Sequence, residues 1–138
     1  MAKSGGGASV GVGTVEDMPV SAGVRKRIAE FLDPDDEIHY VFPADVFGST
    51  NPGVFFAVTR KTITILTTGY LSRKTPKSVV STGLRNQRIG PVDTSTVPWF
   101  KFNGIDYEID DEYVPVIHAA DAEIMREAAK PVDPLPDL

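Results

Sequence analysis

The chain contains no cysteine, which removes disulfides, zinc–thiolate sites, iron–sulfur clusters and thiol nucleophiles from consideration. It has no long apolar run either. The longest uninterrupted stretch, Val54 to Val58, falls far short of the roughly 20 residues that a spanning helix needs. Histidine is scarce: His39 and His118 are the only two, and neither belongs to an H-E-x-x-H or similar ligand spacing, so no metal site is indicated. No G-x-S-x-G elbow supplies a serine nucleophile. Gly11-Val12-Gly13 is only a fragment of a nucleotide fingerprint, with no strand before it and no third glycine in place. The opening residues, MAKSGGGASVGVG, lack the apolar core of an export signal. The expectation is a cytosolic protein without a cofactor.

What is present describes one ordinary globular domain. The 138 residues are 41% hydrophobic, 24% charged and 9% aromatic, as in folded soluble chains. Residues 1–19 are rich in Gly and Ser without a periodic apolar face, and residues 131–138, PVDPLPDL, carry three prolines. Both are read as flexible tails around a domain at 20–130. The P-x-x-P spacing from Pro131 to Pro134 is too common by chance to mark a site.

Within the domain, Ser21 is a plausible N-cap, and Val24, Ile28, Phe31 and Leu32 lie on one helical stripe that Pro34 stops. From Ile38 the apolar period approaches two. The segments IHYVFP, VFFAVT and TITILTT, with turn residues between them, predict an antiparallel meander. Thr62 and Thr64 alternate with isoleucines, as in a strand with one face to the core and one to water. Shorter strands are expected at KSVVST and LRNQRIG. Asn103-Gly104 supplies the two positive-φ positions of a type I′ turn, so Trp99 to Ile109 should be a hairpin. Ile117, Ala120, Ile124 and Ala128 then mark a closing amphipathic helix.

The segment FLDPDDEIHYVF, with Leu32 and Glu37 ahead of a strand, resembles the opening of the bacterial pleckstrin-homology (PH) domains. FFAVTRKTITIL is similar to their strand-Thr-basic-strand hairpin, and the final hairpin and helix follow in the same order. The resemblance spans roughly Val20 to Lys130. It implies a mainly β (α+β) fold: a half-open antiparallel barrel of about seven strands, with a short N-terminal helix and a C-terminal helix plugging the barrel. It also implies a non-catalytic role in binding and assembly. Two positions depart from the family pattern. Thr62 stands where a leucine is usual, and the turn after the second strand lacks the usual Asp or Asn.

Charge is unevenly placed on a chain of net charge −5, a balance that argues against a general nucleic-acid binder. Residues 60–101 hold eight Lys or Arg and one acid, Asp93, while residues 102–138 hold two basic and ten acidic residues. A local field of that kind can steer an anionic partner, although solvated strand and turn charges give the same pattern. The stretch from Thr68 to Lys77 is read as a loop in which Tyr70 and Leu71 stand beside Arg73, Lys74 and Lys77. The two apolar side chains would either cover the open end of the barrel or sit at headgroup depth while the cations meet anionic lipid. Arg60, Lys61, Arg85 and Arg88 would extend the same basic face. The loop of the first two strands, DVFGSTNPG, has no cation, so inositol-phosphate recognition there is not expected.

The remaining candidates are weaker. His118 with Asp121 three residues on could form a base and its orienter, the basis of a hydrolase alternative. Asp106, Glu108 and Asp110 share one face of a strand without the spacing of a calcium loop. Trp99 and Phe100 beside Lys101 could stack a base, but Trp99 is expected in the core. The reading is thus a protein-interaction or self-associating domain, offering unpaired edge strands to a protein partner or a second copy. Peripheral binding to an anionic membrane is the alternative.

Overall fold

A computed structural model describes residues 20–50, 53–69 and 75–129, apart from the side chains of 128 and 129. The two predicted tails, Gly11-Val12-Gly13, Pro131 to Pro134, and Tyr70, Leu71, Arg73 and Lys74 lie outside the described residues.

Helix α1, Ala22–Ala29, starts where Ser21 predicts: the Ser21 Oγ accepts the Val24 amide at 3.3 Å. Val24 and Ile28 are its buried stripe. The helix ends earlier than the stripe suggests. Phe31 and Leu32 lie in a tightened turn whose amides bond to Ile28 and Ala29, ahead of a proline that disfavours helix at Asp33. Leu32 still packs against the sheet, whereas Phe31 is exposed.

Six strands follow among the described residues: β1 Ile38–Val46, β2 Gly53–Thr59, β3 Thr62–Thr68, β4 Pro76–Leu84, β5 Trp99–Phe102 and β6 Ile105–Glu108. They form one curled antiparallel sheet in the order β4-β3-β2-β1-β6-β5. After a turn of 3-10 helix at Asp111–Tyr113 comes helix α2, Val114–Ala129, with Pro115 in its first turn where no amide is needed. Among the described residues, no helix is long and apolar enough to cross a membrane.

Alternation along the strands builds two clusters, one on each face. The inner face gathers Phe42, Phe56, Phe100, Phe102 and Tyr107, with Ile117 and Ala120 of α2 pressed against it. Phe42 and Phe56 stack at 4.9 Å, and Phe56 meets Tyr107 edge-on at 5.0 Å, separations at which ring quadrupoles attract. The outer face holds Val41, Phe55, Ala57 and Leu66 under α1. The run from Val54 to Val58 is therefore apolar because β2 is covered on both sides.

That double covering corrects the reading of β3. Thr64 was expected to meet water, yet it is buried, as is Thr68, whose hydroxyl donates to the Gly53 carbonyl. The β2–β3 turn is held by a threonine side chain. The Thr59 Oγ1 accepts the amides of Lys61 and Thr62 at 3.1 and 3.0 Å and donates to Asp36 Oδ2 at 3.1 Å.

The Asn103-Gly104 hairpin forms as predicted, with φ of 49° and 82° at its two turn residues. The strand expected at LRNQRIG does not form. The amides of Ile89 and Gly90 donate instead to the two carboxylate oxygens of Asp121, each at 2.8 Å, and Pro91 has no amide to offer. Among the described residues, an isolated bridge from Asp93 to Trp99 is what remains of a seventh strand.

Candidate docking surface

Strand β4 borders the sheet, paired with β3 on one side and with no described strand on the other. Its residues from Lys77 to Thr82 are exposed without interruption. Val79, Val80 and Leu84 are 42%, 57% and 70% exposed, a row of apolar groups on a strand that among the described residues is paired on one side only. The register slips at Val80 and again at Lys77, so β4 is bulged in two places. Bulges twist an edge and discourage indiscriminate pairing.

Cations flank this edge. Lys77, where the expected loop meets the strand expected at KSVVST, lies on β4 itself and is exposed. Arg60 and Lys61 occupy the exposed β2–β3 turn, which reaches the far end of β4 through the Arg85 amide and the Lys61 carbonyl at 3.1 Å. Arg88 is more than half exposed, with its Nε 3.9 Å from Asp121.

Arg85 does not join them. Its side chain is 10% exposed and turns inward, where Nη2 donates to the Ala120 carbonyl at 2.8 Å and to Glu123 Oε1 at 3.1 Å. Nε and Nη1 are buried without a partner among the described residues. Glu123 also takes the Tyr40 hydroxyl at 3.3 Å and lies 3.4 Å from His39 Nδ1. Burial pushes its carboxyl up, but hydrogen bonds and charge from Arg85 and His39 outweigh that and hold it below the ordinary value. Burial, then Glu123, raises the Tyr40 phenol. An arginine so enclosed joins α2 to the sheet and is out of reach of an external anion.

His118 is exposed on α2, and the Asp121 carboxylate points away to Ile89 and Gly90. The base-and-orienter pair needed by a hydrolase is not assembled. No three His, Asp or Glu groups among the described residues gather as metal ligands.

A second exposed apolar area lies toward the opposite edge. Period two puts Phe100 and Phe102 inside and turns Trp99 outward, correcting its expected place in the core. Trp99 is half-buried, and with Phe47 and Val97, 66% and 60% exposed, it lines a cleft of about 390 Å³. Asp106 and Glu108 stand on the same face of β6 and form its acidic wall. Lys101 meets Asp106 at 2.9 Å.

The inward arginine carries no mark in the local pattern, but the outward tryptophan does. The alternation Trp99-Phe100-Lys101-Phe102 could have placed Trp99 outside, had Phe100 and Phe102 been taken as the inward pair. Comparison of the chain with protein-family models, curated proteins and solved structures found no match.

Proposed function

We propose that the chain is a non-catalytic docking domain of PH-like kind that takes an extended protein segment along β4. The observation that carries this reading is the continuous exposure of β4 from Lys77 to Thr82, with Val79, Val80 and Leu84 exposed along it. An incoming strand would gain backbone hydrogen bonds from the edge and side-chain contacts from the valines. Lys77 and the Arg60-Lys61 turn favour a segment that carries acids. The curled sheet with a helix against its inner face is consistent with the PH resemblance, but the docking role rests on the edge and not on the fold.

Selection from a displayed library of random peptides tests it. Enriched peptides should alternate apolar residues, include Asp or Glu, shift the backbone amide resonances of residues 77–84, and fail to bind the Val80→Asp variant. No enrichment, or shifts confined elsewhere, would remove the reading. A parallel spin-down with anionic vesicles covers the membrane alternative. Binding that falls with salt and with Leu71→Asp or Lys74→Glu would move the function to the lipid surface.

A further inference from the structure

We infer that the partner of β4 is a second copy of this chain, whose Phe47–Val97–Trp99 cleft receives it in a head-to-tail contact. The inference rests on β4 being the docking surface proposed above, and it names as occupant a cleft of a second copy, met through side chains, in place of an added strand. The two surfaces match in chemistry. One is an apolar ridge of Val79, Val80 and Leu84 with cations at both ends. The other is an aromatic cleft of about 390 Å³ walled by Asp106 and Glu108.

The cleft is built into the fold. The Phe47 amide donates to the Asp106 carbonyl at 2.9 Å, which fixes Phe47 against β6. Trp99 is held on both sides, paired with Glu108 in β6 and bridged to Asp93 beyond it. Two aromatic groups and a valine left in water are a cost that contact with apolar side chains removes. Lys101 already pairs with Asp106 at 2.9 Å, so the open negative charge at the wall is that of Glu108, and Asp110 and Asp111 follow it, exposed.

Charge selects this contact over a symmetrical one. Pairing β4 with β4 by a two-fold axis would bring Lys77, Arg60 and Lys61 of both copies to one seam, and like charges there are unfavourable. The two bulges further oppose the flat register that such pairing needs. Pairing the basic edge with the acidic cleft sets opposite charges together. Because the two patches differ, each copy in a pair retains one free surface, and association continues into a ring or an open chain.

The test is sedimentation velocity from micromolar to near-millimolar concentration, with two variants at exposed positions. The wild-type chain should rise past the mass of a dimer as concentration increases and should fall back at high salt. Val80→Asp and Phe47→Lys should each be monomeric, with unchanged circular dichroism. Mixed together, they should form a one-to-one dimer that grows no further, because one supplies the intact cleft and the other the intact edge. Three results would overturn the inference: a wild-type chain monomeric throughout, a mixture that stays monomeric, or a Phe47→Lys variant that still dimerises alone. A monomeric wild type whose β4 still captures selected peptides would sink only the self-pairing, whereas loss of peptide capture as well would sink the docking reading.

Discussion

Arg85 and Glu123 meet at 3.1 Å between the end of β4 and helix α2, and they are not equally wet: Arg85 is 10% exposed and Glu123 27%. Removing the acid would leave an enclosed guanidinium with its bond to the Ala120 carbonyl and without a counter-charge, its Nε and Nη1 having no partner among the described residues. Glu123→Ala is therefore expected to cost about 2 kcal/mol, below the usual figure for a fully buried pair because solvent reaches the carboxylate. Arg85→Met with Glu123→Ala should cost less than the two single losses combined, the mark of a coupled pair. Urea denaturation of the four chains measures both.

The same carboxylate sets an acid limit on stability. Its folded pKa is depressed below the ordinary 4.5, since the bonds and charge of Arg85 and His39 exceed the opposing effect of burial. A depressed carboxyl contributes stability that is fully present above its unfolded value and is lost as pH falls through the folded one. The midpoint of unfolding should thus decline on acidification below about 4.5. Glu123→Gln should flatten that decline; a variant with the same slope as the parent would show that other carboxylates govern it.

Asp121 holds the segment after β4 in place by taking two adjacent amides, from Ile89 and Gly90. Asp121→Ala would leave two donors without an acceptor, one of them buried, at about 3 kcal/mol. Asp121→Asn keeps one acceptor oxygen and should recover part of this. Gly90 is required by the same closeness: a Cβ there would lie 3.0 Å from the Asp121 Oδ2 and 3.2 Å from the Val92 amide nitrogen. Gly90→Ala is expected to lower the melting temperature, whereas Gly23→Ala, whose Cβ would meet only the far end of Arg27, should leave it unchanged or raise it.

Features set by neighbours in the chain were legible before the structure. Ser21 capping α1, the Asn103-Gly104 turn, and the apolar positions Ile117 and Ala120 of α2 each depend on spacing within a few residues. Features set across the fold were not. Thr64 looks like a water-facing residue until α1 and its cluster cover the outer face. The segment LRNQRIG has strand-like residues, but Asp121, thirty-one positions beyond Gly90, claims its amides. Arg85 and Arg88 are three residues apart in one basic stretch, yet one is enclosed by Glu123 and the other faces solvent. Of the described members of the candidate basic face, Arg60, Lys61, Lys77 and Arg88 are on the surface.

The hairpin tip isolates a backbone effect. Gly104 has φ of 82° and open space around its Cβ position, so Gly104→Ala brings no clash and only the strain of a side chain in the left-handed region. The expected cost is about 1 kcal/mol, measured by thermal or chemical unfolding, with the inner-face packing of Phe100, Phe102 and Tyr107 unchanged in its near-ultraviolet circular dichroism. A larger loss would mean that the turn also positions Asn103, whose Oδ1 accepts from Gln87 Nε2 at 3.0 Å.

Trp99 is the sole tryptophan, and it lines the cleft proposed to receive β4. Its emission therefore reads that surface with no other indole in the signal. Half-buried in the free chain, it should emit at an intermediate wavelength, then shift to the blue as concentration rises and apolar side chains displace water from its ring. Phe47→Lys should hold the dilute-solution spectrum at every concentration. In a mixture of Val80→Asp and Phe47→Lys, the shift should come from the Val80→Asp partner alone, since its cleft is the intact one; replacing Trp99 by Phe in that partner should abolish the shift, while the same replacement in the Phe47→Lys partner should leave it in place.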